Sequence, residues 1–468
     1  MTPSSRRRDG CSGPPPLTYR RHAGRSRHGI AVVSLHFAML SAALGCSTSD
    51  QADPTSATAE WQDASAGVVS RPTVGGGVTA VTSLDGDGRL RTIVFDLATG
   101  QRLWSRPAST SGRPADLGIA PAAVAGPPNR AVVGSVEPGS SGAAVVGRDV
   151  RTGRQRWARP VGTTFGPARC GDSLCLSEFT AGKNARFAVL DPVTGKTSWT
   201  MPGVAEVEWA DRRRVVVFRI AAHPVIEAHD LASGRSLWSF PVEQALGGTV
   251  DLSGGWSFGA LDDDLIGYLA PFRTRQGAPL SAFGFFSLRM EDGVLQWVHR
   301  RSLRLYPSAN PAVALVTRDV DANDHYGGFT QFDPRTGRAV AAIPAPPRSD
   351  PDRWPAFPAD LSALGLLQPG HPGQAYDLRT GGPIAGHVRA WSFCTVTPSP
   401  LKINGSTGFF PVPAVCPYDM MTGRRLASAG PPPGWYTGAV DGWRVWRDER
   451  GGLHGRHDAD GTVPGMLG

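Results

Sequence analysis

The chain has 468 residues, of which 40% are hydrophobic, and it contains 58 glycines and 41 prolines. It is too apolar for a disordered protein and too rich in helix-breaking residues for long helices, so many short strands joined by turns fit best. The net charge of +8 does not indicate nucleic-acid binding, because residues 1–45 hold seven arginines against one acid and the rest is nearly neutral.

The first segment of the chain has the order of an export signal. A basic stretch precedes an apolar run over residues 30–44, which is shorter than the ~20 residues that a membrane-spanning helix needs. Gly45 and Cys46 follow this run and resemble the lipobox of bacterial lipoproteins, although Ala43 stands where leucine is usual. We therefore expect residues 1–45 to be a lipoprotein-type signal peptide and Cys46 to be lipidated, with an ordinary secreted protein as the alternative.

Residues 46–60 are polar, and we expect them to be a disordered tether between the anchor and a folded domain over residues 61–463. The predicted location is extracytoplasmic, at the cell membrane and facing away from the cytoplasm. In that oxidising setting an even number of cysteines favours disulfides.

The four cysteines of the predicted domain form two candidate pairs. Cys170 and Cys175 flank a tight turn between two strand ends, so a bridge across this hairpin is geometrically reasonable. Cys394 and Cys416 are then the second pair. No histidine lies at a ligand-like spacing from these cysteines, so a zinc site is not expected.

The body of the chain repeats the pattern Asp-x-x-Thr-Gly-x-x-x-Trp at intervals of 39 to 59 residues. The eight copies share a glycine, at Gly100, Gly153, Gly195, Gly234, Gly293, Gly337, Gly381 and Gly423. The first five copies carry tryptophan four residues later, at Trp104, Trp157, Trp199, Trp238 and Trp297. The chain has only thirteen tryptophans, so chance does not explain this placement.

Each copy has the chemistry of a β-hairpin. An apolar run of the kind found in strands precedes the aspartate, which is favoured at the start of a β-turn. Glycine supplies the positive φ that closes such a hairpin, and the tryptophan is large enough to pack against a neighbouring unit. Two further strand-like runs precede each hairpin, and four strands in ~40 residues are typical of a propeller blade.

A closed ring of blades buries the faces that a single blade leaves open. The sequence therefore predicts an all-β fold, a β-propeller with eight four-stranded blades, within a range of seven to nine. The range reflects a degenerate ninth copy over residues 452–461, which would complete a blade with an N-terminal strand near Trp61.

The copies over residues 95–104, 190–199 and 229–238 resemble the repeat of pyrroloquinoline quinone (PQQ) propellers, and the resemblance spans residues 61–461. It implies that the five tryptophans dock blades and bind no cofactor. One branch of this family consists of dehydrogenases that oxidise alcohols or sugars with PQQ and a cation. The other is non-catalytic and includes a lipoprotein scaffold of outer-membrane barrel assembly. The leader and the one-domain layout resemble the second branch, and the sequence lacks the Cys-Cys pair of many dehydrogenases.

The candidate metal loops in the sequence are acidic turns. Asp319 and Asp321 alternate as calcium ligands do, but Asp324 stands where a calcium loop needs glycine. Residues 85–88 and 262–264 are similar, and we interpret all three segments as polar hairpin tips. The histidines form no cluster, so the sequence predicts neither a metal site nor a catalytic residue.

Together these features predict a membrane-tethered propeller that binds protein partners or a surface ligand, rather than an enzyme. We expect no cofactor and no nucleic-acid partner. The protein would contact the membrane through its lipid anchor. The alternatives are a PQQ- and calcium-dependent dehydrogenase of alcohols or sugars, and a glycan-binding or sensory domain.

Overall fold

The computed structural model describes residues 59–457, with gaps. The gaps are residues 111–118, 141, 180–183, 305–315, 344–353, 359, 361, 369, 396–399, 404–405, 410–413, 428–436 and 441. All described residues belong to one compact unit, Ser56–Gly468. The leader, Cys46 and most of the tether lie outside the described residues, so their predicted roles stay predictions.

The regular secondary structure of the described chain consists almost entirely of short antiparallel strands. The first strand is β1 (Glu60–Asp63). Blade 1 contains β2 (Thr73–Gly75), β3 (Val78–Leu84), β4 (Leu90–Asp96) and β5 (Arg102–Pro107). Blade 2 contains β6 (Ala123–Ala125), a 3₁₀ turn (Pro128–Arg130), β7 (Val132–Gly139), β8 (Gly142–Asp149) and β9 (Gln155–Arg159).

Blades 3 and 4 each consist of four consecutive strands without an intervening helix or 3₁₀ turn. Blade 3 contains β10 (Gly162–Cys170), β11 (Ser173–Phe179), β12 (Arg186–Leu190) and β13 (Thr197–Pro202). Blade 4 contains β14 (Val204–Ala210), β15 (Arg214–Ile220), β16 (Val225–Asp230) and β17 (Ser236–Pro241).

A short helix and a 3₁₀ turn precede blade 5. They are α1 (Val242–Leu246) and Leu252–Gly254. Blade 5 contains β18 (Trp256–Leu261), β19 (Asp264–Leu269), β20 (Gly284–Arg289) and β21 (Leu295–Arg300). Blade 6 contains β22 (Ser302–Arg304), β23 (Val316–Val320), β24 (Tyr326–Phe332) and β25 (Ala339–Ile343).

The last three blades are less regular. Blade 7 contains β26 (Trp354–Ala356), β27 (Ala363–Gln368), β28 (His371–Asp377) and β29 (Pro383–Ile384). Blade 8 contains β30 (Arg389–Thr395), the separate hairpin β31 (Pro400–Ile403) and β32 (Ser406–Phe409), then β33 (Ala414–Asp419) and β34 (Arg424–Arg425). Blade 9 contains β35 (Thr437–Val440), β36 (Trp443–Arg447) and β37 (Leu453–His457), with β1 as its fourth strand.

The predicted all-β propeller is confirmed, and its nine blades lie within the predicted range of seven to nine. Eight blades carry the hairpin copies found in the sequence. The ninth closes the ring, because β1 pairs antiparallel with β37, from Glu60 opposite Arg456 to Asp63 opposite Leu453. The two ends of the described chain are therefore held in one sheet.

The repeated hairpin closes through its own side chains. In blade 1 the Asp96 carboxylate accepts the Thr99 N–H and hydroxyl, both at 3.0 Å, while the Gly100 N–H donates to the Asp96 carbonyl at 2.9 Å. The eight repeat glycines all have positive φ, between 65° and 74°. The copy that lacks the aspartate has Arg289, which pairs with Asp292 at 2.5 Å. Local turn chemistry therefore persists even where the pattern departs from its consensus.

The hydrophobic core is a series of layers between neighbouring blades. Phe218 and Phe240 of blade 4, for example, pack with Phe258 and Phe286 of blade 5. Comparable clusters join blades 1 with 2, 2 with 3, 3 with 4, 5 with 6, 6 with 7, 7 with 8 and 9 with 1. No helix within the described ranges has the length and apolar character needed to cross a membrane.

The first predicted disulfide is confirmed. Cys170 and Cys175 are bonded across the β10–β11 hairpin, with their Cα atoms 5.9 Å apart. Cys416 is also disulfide-bonded, and its strand pairs with β30, which contains Cys394. The side chain of Cys394 lies outside the described residues, so the second pairing stays a prediction.

Candidate functional site

The repeat tryptophans lie between consecutive blades. Trp104 of blade 1 donates its indole N–H to the Val150 carbonyl of the blade 2 hairpin at 2.9 Å, and its ring lies on Gly153. The other four, and Trp61 of blade 9, donate in the same way to the next hairpin: Trp61 to Leu97, Trp157 to Pro192, Trp199 to Leu231, Trp238 to Met290 and Trp297 to Pro334.

The glycine beneath each indole has a second role that sequence reasoning missed. A Cβ atom built at Gly153 would lie 2.7 Å from the Trp104 ring, and one at Gly195 would lie 2.5 Å from the Trp157 ring. Glycine is therefore required both by its positive φ and by the close approach of the indole. In the blades without a docking tryptophan this contact changes, and a Cβ at Gly381 would meet the Ala342 carbonyl oxygen at 2.5 Å.

A second interblade contact, two residues after the tryptophan, was also missed. Arg159 donates to the Gly195 carbonyl at 3.2 Å and pairs with the buried carboxylate of Glu178 at 2.8 Å. His299, at the same place in blade 5, donates to the Gly337 carbonyl at 2.6 Å. These side chains join neighbouring blades, so they add a second interblade contact to that of the tryptophans.

Acidic side chains of the turns over residues 262–264 and 319–324 form ion pairs within the protein. Asp324 pairs with Arg273 and Arg301, each at 2.6 Å, and Asp262 pairs with Arg335 at 2.7 Å. In the part of the chain that the structure describes, no three histidine, cysteine, aspartate or glutamate side chains come together as metal ligands. The arrangement of these turns is that of hairpin tips crosslinked by arginine.

The first strands of neighbouring blades contact one another and form the inner wall of the ring. A cavity of about 400 Å³ lies among the inner strands of blades 1 to 4, and Thr73, Arg169 and Glu206 contribute to its lining. Trp256 donates to the Glu206 carboxylate at 2.9 Å, and its ring lies 6.2 Å from that of Phe165. Aromatic rings of blades 3 and 5 therefore meet at the centre.

Glu208 is an unusual group in this inner wall. It occupies a β-bulge of β14, and its Oε1 atom is buried without a hydrogen-bond partner in the described structure. Burial, together with the charge of Glu206, raises the pKa of the Glu208 carboxyl well above its ordinary value. The surroundings of Glu208 therefore disfavour the charged form of this carboxyl.

A larger cavity lies on the face opposite the Thr-Gly hairpins. In a four-stranded meander, the connections between blades and those between the second and third strands emerge on this face. Two long connections meet here, residues 242–255 before blade 5 and residues 270–283 within it. They account for the longest interval in the repeat, between Gly234 and Gly293.

These two connections are fixed to each other and to the ring. The Ala282 N–H donates to the Thr249 carbonyl at 2.9 Å, which joins the connections directly. Helix α1 buries Val242 and Leu246 in the core between blades 4 and 5 and ends at Gly247, whose φ is +74°. The two connections are therefore tied both to each other and to the core of the ring.

The resulting cavity, which we call the blade-5 cavity, has a volume of about 580 Å³. Its lining combines apolar and basic side chains: Leu246, Val250, Phe272, Leu280, Phe283, Arg300 and Arg301. Arg301 lies 5.4 Å from the Phe283 ring centre and pairs with Asp324. Apolar surface with a few placed polar groups is the usual composition of a binding site.

The fold and the repeat define a β-propeller of PQQ-like repeats with one elaborated face. The chain belongs to the family described as outer membrane protein assembly factor BamB, whose profile matches residues 51–174 and 183–353. The match ends before blade 7, where the repeat becomes less regular. No curated protein matches the sequence.

Two solved structures illustrate the likeness. BamB from Moraxella catarrhalis is 13% identical, with a TM-score of 0.45, and the match covers 85% of this chain and 98% of that chain. Quinohemoprotein alcohol dehydrogenase from Comamonas testosteroni is 11% identical, with a TM-score of 0.42, and the match covers 79% and 77%.

Proposed function

We propose that the protein is a membrane-tethered, extracytoplasmic scaffold that binds a protein partner at the blade-5 cavity. The proposal rests on one observation. The connections over residues 242–255 and 270–283 are hydrogen-bonded to each other and form a partly apolar cavity beside blade 5. Binding residues are commonly placed on loops that a rigid framework positions.

The ring itself supports a binding role rather than a chemical one. Its repeat side chains are occupied by turn and interblade bonds, as Trp104 and Arg159 illustrate. Membership of the BamB family favours protein partners. Binding would then depend on the face that departs from the repeat.

The Cys170–Cys175 disulfide supports a location outside the cytoplasm, because such bonds persist in oxidising compartments. Attachment to the membrane would come from a lipid on Cys46, at the end of the predicted tether. Such an anchor would hold the cavity near partners in or at the membrane.

Photo-crosslinking from residue 249, beside the cavity, tests the binding proposal in native membranes. Gly248→Trp fills the cavity at an exposed glycine, where a Cβ meets only Ala282 at 3.4 Å. Gly86→Trp is the matched control, because that exposed glycine lies on the same face of blade 1 with nothing within 4 Å. We expect a discrete crosslinked partner with the unmodified chain and with Gly86→Trp, and its loss with Gly248→Trp.

Equal crosslinking by both tryptophan variants would remove the cavity from the proposal. The enzymatic alternative has its own assay, in which purified protein receives PQQ and calcium and dye reduction is followed with alcohols and aldoses. Turnover in that assay would replace the scaffold proposal with a dehydrogenase.

A further inference from the structure

We propose that the blade-5 cavity recognises a peptide segment of the partner in which an apolar side chain lies beside a carboxylate, with Arg300 as the carboxylate-binding residue. This inference rests on the proposed function and adds the chemistry of the bound segment. It follows from three properties of the cavity: its apolar wall, the absence of an ion-pair partner for Arg300 among the described residues, and the contact of that arginine with helix α1.

The apolar wall leaves hydrophobic surface partly open to solvent. Phe283 and Val250 are buried at the base, whereas Phe272 and Leu280 are only half-buried at the rim. Covering such surface releases about 25 cal/mol for each Å² removed from water. An aliphatic or aromatic side chain of the partner would gain this burial without rearranging the walls.

Arg300 brings a positive charge to the same cavity. No carboxylate lies within ion-pair distance of its guanidinium among the residues that the structure describes. Its neighbours differ, because Arg301 and Arg273 share the carboxylate of Asp324. Arg300 is therefore the basic side chain of the cavity that remains available to a carboxylate of the partner.

Contacts with helix α1 orient the exposed side chain of Arg300. Its Nε atom donates to the Ala245 carbonyl at 3.0 Å, near the C-terminal end of the helix. Its guanidinium lies over Gly247, where a Cβ would come within 3.1 Å of the Cζ atom. This bond fixes Nε and leaves the two Nη groups to form the paired hydrogen bonds that a carboxylate accepts.

Asp251 is the acidic residue of the cavity lining, and it forms no ion pair with Arg300. The Asp251 carboxylate accepts the Ser253 N–H at 2.9 Å and caps the 3₁₀ turn that follows. The cavity therefore presents an apolar wall and one available cation, which is complementary to an apolar residue next to an aspartate, a glutamate or a chain end.

Fluorescence anisotropy with short labelled peptides tests this recognition on the whole propeller. The peptides share one sequence and differ only at a central pair: phenylalanine–aspartate, phenylalanine–asparagine or serine–aspartate. A fourth ends in phenylalanine with a free carboxylate, and a fifth is its amide. We expect the phenylalanine–aspartate peptide, the free-carboxylate peptide or both to bind ~10-fold to 100-fold tighter than their uncharged counterparts. The phenylalanine–aspartate peptide should also bind tighter than the serine–aspartate peptide, because only the former brings an apolar side chain to the wall.

Variants of Arg300 test whether this residue causes the preference for a carboxylate. Arg300→Gln should remove the preference for carboxylate over amide, while Arg300→Lys should keep part of it because the charge remains. Arg275→Gln is the matched control, since Arg275 is an exposed arginine of the connection over residues 270–283 that does not line the cavity. Unchanged thermal unfolding of each variant shows that the ring is intact.

Equal binding of acid and amide peptides, or no binding of any peptide, overturns the inference. A carboxylate preference that survives Arg300→Gln overturns the assignment to Arg300. These results leave the proposed function standing if Gly248→Trp still abolishes partner crosslinking. Crosslinking that is insensitive to Gly248→Trp removes the proposed function itself.

Discussion

Replacement of Trp157 by alanine measures the strength of one interblade contact. Trp157 is 8% exposed, donates to the Pro192 carbonyl at 2.7 Å and lies against Gly195 of the next blade. An aromatic ring of this kind buries about 200 Å², which corresponds to about 4–5 kcal/mol. The lost hydrogen bond adds about 1 kcal/mol and leaves the Pro192 carbonyl unpaired. We therefore expect the free energy of unfolding to fall by about 5–6 kcal/mol.

Urea unfolding followed by far-ultraviolet circular dichroism gives this free energy from the midpoint and the slope. Trp157→Phe should lose less, because it keeps most of the apolar contact and gives up the N–H. Leu237→Ala is the control, since Leu237 is 36% exposed on an outer strand and should change stability by no more than about 0.5 kcal/mol. A loss below about 1 kcal/mol for Trp157→Ala would refute the docking role.

Three further perturbations follow from the same structure. Gly195→Ala should lower the free energy of unfolding by about 2–4 kcal/mol, because it combines a φ of +69° with a clash against the Trp157 ring. Gly277→Ala is the control: its φ is +78°, but its surroundings are open, so the loss should be about 1–2 kcal/mol. Equal losses in urea unfolding would show that the contact with the Trp157 ring contributes nothing. The pKa of Glu208 is raised in the folded state, so wild-type stability should fall by up to about 1.4 kcal/mol per pH unit as pH rises from the ordinary value of 4.5 to the raised value. Glu208→Gln removes this titration, so the stability of the variant relative to wild type should be greater near neutral pH than below pH 4.5. If the free energies of unfolding of the two proteins stay parallel across that pH range, the carboxyl is not buried as described. Cys46→Ala should move the protein from the membrane fraction to the medium, and retention in the membrane would show that a lipid on this residue is not the anchor.

The fold was predictable because its signal is local and repeated. Aspartate, threonine and glycine close a hairpin through bonds that span only a few residues, as in residues 96–100. Eight such hairpins at similar intervals imply stacked units, since one unit cannot bury its own faces. The Cys170–Cys175 bridge was predictable for the same reason, because both cysteines flank one turn.

The interblade contacts were only partly predictable. The size of the tryptophans indicated packing against a neighbour, but not that the partner is the glycine of the next copy. Trp61 carries no copy of the pattern around it, and its docking role arises only when β1 joins β37. Arg159 and His299 share a position after the tryptophan but no chemical class, so no sequence pattern marked them.

The sequence by itself determined the hairpins, the four-stranded units and therefore a propeller, because these depend on contacts within short segments. Tertiary structure alone decided the number of blades, because the ninth blade joins the two ends of the described chain. It also decided the position of the candidate site. Residues 242–255 and 270–283 follow no repeat, and they form a cavity only because the ring brings them together. Long-range ring closure and the meeting of inserted loops depend on distances in space that no local pattern encodes.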